Sequence, residues 1–294
     1  MKKLLEEIKD KLQELVKDEG TVMLKEVRKN NILLHGITIK KADDPICSII
    51  YVDPYLEDLK NRRITSDFVA RQLLETLKEA PCPYIIQDLK RYNNVEYLRE
   101  HVQYQLISIE GNQKFLKDLI YREVQGLAVI YRVMLGKQAS YLVSQTMQKH
   151  FGFSSEELDS WAYQNGIENG YCLENMTDII GDVELEGRVS EKDMKDMENM
   201  MILRTNSLEY GAAAVLFPEF LEEVAETIQD DLILLPSSIH EWIVFPRKQF
   251  EYDSDLDHLK EVVGEVNNTL QKQEILSYHV FYYDRTAEKF LCVR

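Results

Sequence analysis

The sequence predicts an α+β protein whose antiparallel or mixed sheets are built from hairpins and covered by amphipathic helices, divided into two lobes. Three observations carry this. Helical and strand-like stretches follow one another without regular βαβ alternation, which argues against a doubly wound sheet. Several strand-like runs come in pairs joined by short polar turns, the pattern of hairpins. The composition, 294 residues of which 45% are hydrophobic and 10% aromatic, is sufficient for a sizeable core.

Leu4, Leu5, Ile8, Leu12, Leu15 and Val16 recur at three- and four-residue spacing, so the chain starts with an amphipathic helix that Gly20 stops. Thr21–Val27 and Ile32–Ile39 then read as a hairpin around Arg28-Lys29-Asn30-Asn31, because asparagine tolerates a left-handed backbone. Ile46–Val52 is apolar and β-branched and ends at Asp53-Pro54. Thr65 or Ser66 caps a helix with Phe68, Val69, Leu73, Leu74 and Leu77 on its inner face, and Pro81 and Pro83 end it. In His101–Ile109, Val102, Tyr104 and Leu106 alternate with Gln103 and Gln105, as in a sheet with one wet face.

Val124–Leu135 reads as one long buried strand, kinked or bulged at Gly126, turning at Gly136-Lys137 into Ala139–Met147. Ser154 and Glu157 form a capping box that opens a helix through Leu158, Trp161 and Ala162. The weakly patterned stretch Asn165–Asn199 places the lobe boundary, giving an N-terminal α+β lobe over 1–185 and an acidic C-terminal lobe over 190–294. Met200–Thr205 reads as a strand, and Gly211–Leu216 and Glu219–Ile228 as helices broken at Pro218. Ser254 with Asp257 caps a helix whose inner face is Leu256, Leu259, Val263, Val266 and Leu270. Ser277–Tyr283 and Lys289–Val293 close as a hairpin around Asp284-Arg285-Thr286-Ala287.

Chemically capable residues are densest in Asp230–Pro246, where two apolar runs flank Ser237, Ser238, His240 and Glu241. A nucleophile, a base and a carboxylate lie within five positions, but triads are usually assembled from distant parts of a chain. No GxSxG surrounds either serine. His240-Glu241 begins an HExxH pattern, yet Val244 stands where the second histidine must be, so the two-histidine zinc grip is absent. Thr205-Asn206-Ser207 follows a strand and could offer amides to an anion, although capping accounts for the same residues. Asp53 and Asp284 follow β-runs beside tyrosines and fit turn formation as well as acid–base work.

No Walker loop or GxGxxG occurs, and no two of the six histidines have metal-grip spacing. Cys47, Cys82, Cys172 and Cys292 form no CxxC pair, which disfavours a zinc site or disulfide framework. The reading therefore assigns no metal, no cofactor and no defined reaction. Arg62-Arg63 and the other basic residues form no aromatic-interleaved stripe, so direct nucleic-acid binding is not expected. No apolar run approaches the ~20 residues that span a bilayer, and the charged N-terminus does not read as a signal peptide, so the expected location is the cytoplasm.

The net charge is -16, and it is unevenly placed: residues 1–150 carry 24 Lys+Arg against 21 Asp+Glu, and residues 151–294 carry 11 against 30. Such asymmetry marks a partner-facing acidic surface, or only a surface kept soluble by acidic helices.

The stretches RKNNILLHGITI, SIIYVDPYLEDL, ILRTNSLEYGAAAVLFPEFLEEVA, LILLPSSIHEWIVFP and VNNTL resemble an uncharacterised bacterial protein family, a domain of unknown function common in anaerobic gut bacteria. The resemblance covers nearly the whole chain and is most specific over 200–284. It implies that Asn206, Gly211, Pro236, Ser237, Ser238, His240 and Glu241 match the family's recurring pattern, and it brings no activity with it. Two functions follow as expectations. The favoured one is a non-enzymatic cytosolic interaction protein that binds a macromolecular partner through an acidic C-terminal surface. The other is an enzyme or small-ligand binder with a polar site at Ser237–Glu241 and Asn206.

Overall fold

A computed structural model describes residues 1–40, 49–79, 92–135, 139–181, 199–207, 209–250 and 253–293. Cys47, Cys82, Pro81, Pro83, the Gly136-Lys137 turn and residues 182–198 of the weakly patterned stretch lie outside the described residues, as do the side chains of Ser254 and Leu256. The chain forms two compact units, Met1–Tyr92 and Asn93–Arg294.

In the first unit, α1 (Lys2–Val16) precedes the antiparallel hairpin of β1 (Thr21–Lys29) and β2 (Ile32–Lys40), beside which lies the short β3 (Ile50–Tyr51). Asn31 turns the hairpin at φ 59, the left-handed geometry expected of it. After α2 (Leu56–Lys60) comes α3 (Ser66–Glu79), capped by the Thr65 hydroxyl, which accepts the Phe68 N–H at 3.2 Å. That cap fixes the helix phase. Val69 and Leu73 join Leu5, Ile8, Leu12, Val22 and Ile37 in the core, whereas Phe68, expected inside, is 47% exposed. Asp53 has a turn-forming role: its carboxylate takes the His35 backbone N–H at 2.6 Å and meets His35 Nδ1 at 2.9 Å.

The second unit begins with α4 (Val95–His101), β4 (Val102–Ser108) and the single-turn α5 (Gln113–Leu116). β5 (Tyr121–Val124) and β6 (Leu127–Leu135) follow, and Gln125 and Gly126 both have positive φ between them. The expected bulge at Gly126 is thus a two-residue hairpin turn, the use to which such φ values are usually put. β6 is central, with β4 along one edge and β5 and β7 (Ala139–Leu142) along the other. The strand expected to reach Met147 stops early because the Ser144 hydroxyl caps α6 (Gln145–Phe151), accepting the Met147 N–H at 3.3 Å. The face of β4 expected to be wet is covered as well: Gln105 is 4% exposed, and Ile107 packs with Leu116, Leu119 and Ile130.

The capping box is as predicted, opening α7 (Ser155–Asn169). Its Asp159 ties the helix to the sheet: the carboxylate accepts from Tyr131 Oη and Arg122 Nε, both at 2.8 Å, and the backbone carbonyl from Tyr104 Oη at 2.9 Å. β8 (Tyr171–Asn175), α8 (Met176–Gly181) and β9 (Met201–Thr205) come next. β8 pairs with β9, so the two strands lie in one sheet. The expected helix over Gly211–Leu216 is a 3₁₀ helix, entirely buried, and it leads into α9 (Pro218–Ile228), with Pro218 in its first turn.

β10 (Leu232–Pro236), β11 (Trp242–Pro246), α10 (Asp253–Thr269), β12 (Val280–Asp284) and β13 (Lys289–Val293) complete the chain. With β8 and β9 these four strands form one antiparallel sheet in the order β13-β12-β10-β11-β9-β8. Leu259 and Val263 of α10 cover Ile233 and Leu235. Asp284 closes the last hairpin, its Oδ1 accepting the N–H groups of Thr286 and Ala287 at 2.9 and 2.8 Å. The architecture is α+β, with three antiparallel sheets among the described residues. Among the described residues no helix is long and apolar enough to cross a membrane.

Phe217, at the mouth of the 3₁₀ turn, is ringed by Tyr104, Tyr163 and Phe220 at centroid distances of 5.7, 5.4 and 4.7 Å. It lies so close to α7 that a Cβ on Gly166 would sit 2.1 Å from its Cζ. Gly166→Ala gains helix propensity worth about 1 kcal/mol but forces the ring aside at about 1–3 kcal/mol. The expected net result is a lower urea midpoint, restored by adding Phe217→Leu.

Candidate functional site

β10 and β11 are joined by the five residues Ser237–Glu241, from Pro236 paired opposite Trp242. Several polar groups of this loop bond within it or to its neighbours. The Ser238 hydroxyl, buried with its residue, accepts the His240 N–H at 3.0 Å, and the Ser238 N–H reaches the Glu241 carbonyl at 3.3 Å. Ser237 Oγ donates to Glu241 Oε1 at 3.3 Å. His240 Nδ1 accepts the backbone N–H of Tyr210 at 3.0 Å, which places the ring proton on Nε2. Neither serine hydrogen-bonds the imidazole, so the residues do not form a Ser–His pair.

Asn206 lies apart from the loop in bonding. Its N–H donates to the Gly170 carbonyl at 3.1 Å and its Nδ2 to the Asn169 carbonyl at 2.7 Å, so the amide considered for an anion is already engaged. The link between the two regions is the segment from Thr205 to Gly211. Here Tyr210 takes φ 61, a left-handed conformation costly for a side chain of this size. The bond to His240 holds it there. Gly211 follows because nothing larger fits: a Cβ would stand 2.6 Å from the His240 carbonyl oxygen and 2.8 Å from Arg204 Cβ.

The ring of Tyr210 meets His240 on one side, centroids 5.6 Å apart, and carries the Arg132 guanidinium 4.3 Å from its centre. Arg132 Nε donates to Gln105 Oε1 at 2.8 Å and Nη1 to Ser140 Oγ at 2.7 Å. Burial pulls the Arg132 pKa down, against the upward pull of Tyr210 and Glu209. Ser207 Oγ reaches Gln103 Oε1 at 3.1 Å, and a cavity of about 20 Å³ between Gln103, Asn169, Ser207 and Tyr210 has room for one water. Sequence reasoning missed this cluster. The available signal was a lone arginine inside the apolar run Leu127–Leu135, since a charge in a buried strand requires partners.

Glu241 faces the other way, into an open groove with Glu174, Asp178 and Arg204, where Arg204 Nη2 and Glu174 Oε2 pair at 2.8 Å. Burial, followed by the neighbouring Glu174, pushes the Cys172 thiol pKa up and keeps it protonated. Among the described residues no three His, Cys, Asp or Glu side chains gather as metal ligands.

The acidic surface is most regular on α9. Phe220, Leu221, Val224 and Ala225 point inward, leaving Glu219, Glu222, Glu223 and Glu226 exposed. Among the described residues none of the four pairs with Lys or Arg. Two are held by tyrosines instead: Tyr163 Oη donates to Glu219 at 2.6 Å and Tyr171 Oη to Glu223 at 2.9 Å. A phenol fixes a carboxylate without cancelling its charge.

Fold and site together define an α+β protein of antiparallel sheets whose densest polar loop is hydrogen-bonded within itself and to Tyr210. The chain belongs to the family of unknown function DUF5688, which matches residues 1–285, in keeping with the resemblance seen in the sequence. Searches of curated proteins and of solved structures found no match.

Two outcomes follow. Gly211→Ala should destabilise the second unit by about 1–3 kcal/mol in chemical denaturation, since both opposing groups are backbone or Cβ atoms that cannot swing away. Tyr163 and Tyr171 are both pushed up to about 12, by burial and then by Glu219 and Glu223 respectively. The unfolded chain releases these protons near the ordinary value of ~10, so their stabilisation is present below that pH and lost as pH rises toward 12. Replacing both with Phe should flatten the fall in denaturation midpoint over that window.

Proposed function

We propose that this protein is a non-enzymatic interaction factor that binds a basic macromolecular partner through the acidic surface of its C-terminal part, centred on α9. The observation that carries this reading is the row Glu219, Glu222, Glu223 and Glu226, exposed and without Lys or Arg partners among the described residues. Tyrosine bonds to Glu219 and Glu223 support it, because they hold the carboxylates at reduced entropic cost to a partner. Uncancelled charge of one sign speeds association with an oppositely charged surface. Cytoplasmic location belongs to the same proposal.

The competing reading, an enzyme or small-ligand site at Ser237–Glu241 with Asn206, loses ground because both serine hydroxyls and His240 Nδ1 are engaged within the fold and neither serine bonds the imidazole. Affinity purification from host lysate distinguishes the two, using wild type, His240→Ala and a Glu222→Gln/Glu226→Gln variant. The expected result is a stoichiometric protein partner retained by wild type and His240→Ala, with affinity about tenfold lower for the double-glutamine variant at low salt. A small molecule held by wild type and lost from His240→Ala would overturn it in favour of the loop.

A further inference from the structure

Arg132 is the most unusual charge in the second unit. It projects from the central strand β6, half-buried, beside the fully covered Gln105. Two of its donors are satisfied by neutral oxygens, Gln105 Oε1 and Ser140 Oγ, and one face lies on the Tyr210 ring. None of these supplies a negative charge. Among the described residues Arg132 has no carboxylate within ion-pair distance; Glu209, whose charge is felt there, is exposed and makes no bond to it. Removing a guanidinium from water without a counter-charge is costly, and natural structures ordinarily avoid it.

Among the described residues the Nη2 group makes no hydrogen bond, so its N–H groups and one on Nη1 are left to donate to the oxygens of an anion. The bonds through Nε and Nη1 and the aromatic ring below hold the plane in place, so little entropy remains to be lost when such an anion arrives. We propose that Arg132, positioned by Gln105, Ser140 and Tyr210, binds the carboxylate or phosphate group of a small ligand. This is independent of the acidic surface of α9. Tyr210 connects the site to His240, so the loop that the sequence singled out acts as a positioning element for it, holding Tyr210 in its left-handed conformation.

The test is calorimetric titration of the intact chain with inorganic phosphate and with succinate at constant ionic strength. Saturable one-to-one binding of at least one is expected. Arg132→Lys keeps the charge but not the fork and should weaken it about tenfold or more. Glu209→Gln, an exposed change that leaves the fold intact, should strengthen it several-fold by removing the neighbouring negative charge. Which probe binds more tightly separates a carboxylate ligand from a phosphate ligand. The proposal is overturned if neither anion binds saturably to wild type, or if binding is indifferent to both substitutions. Loss of the α9-dependent partner with anion binding intact would defeat the interaction reading alone.

Discussion

The second unit depends on one close approach, that of the β10–β11 loop to the start of the Gly211–Leu216 turn. Trp242 is fully buried, so its indole N–H must find an acceptor inside the protein, and the Ala212 carbonyl supplies it at 2.7 Å. Two residues earlier, the His240 carbonyl presses on Gly211 where no side chain fits. Between these contacts the His240 ring receives the Tyr210 N–H. Three independent requirements (a buried donor, a missing Cβ and a strained backbone) are met by one short loop.

The same approach sets the positions of the rest. Once Ala212 is tied to Trp242, the small residues of the turn lie beneath the six-stranded sheet and Phe217 is delivered to the aromatic cluster of Tyr104, Tyr163 and Phe220. Phe217 then dictates glycine at position 166 of α7. Asp159, two turns earlier on that helix, fixes its height over β4 and β6 through Tyr104 and Tyr131. The two sheets of the unit are joined through this helix and this aromatic core.

Elements governed by local rules were legible in the sequence. The apolar stripe of α1, the Asn30-Asn31 hairpin, the Ser154–Glu157 box and the Asp284 turn each follow from residues within a few positions of one another. Elements governed by distant contacts were not. Nothing near Gln105 announces that Arg132 will draw its amide inside; Phe68 is a local case, where the choice between Thr65 and Ser66 as cap set the helix phase and left the ring outside. The candidate site divides in the same way. Ser237, Ser238, His240 and Glu241 stood out by chemical type, whereas their roles were decided by Tyr210 and Gly211, some 30 positions upstream.

Charge in this protein works over two ranges, and keeping them separate clarifies what the site can do. The surplus of carboxylates is a surface property: its field reaches about 8–10 Å into solution at physiological salt and favours cations without selecting among them. The tyrosines beneath Glu219 and Glu223 refine it by fixing positions while leaving charge intact. Arg132 is the opposite case, a half-buried cation bonded to neutral acceptors and an aromatic face, with Glu209 as its neighbouring charge. Its lower-dielectric surroundings strengthen any contact made there, whereas the acidic exterior opposes the approach of free anions. A guanidinium held in one plane inside an anionic protein is therefore suited to choose by geometry, and the carboxylates outside are suited to attract by charge.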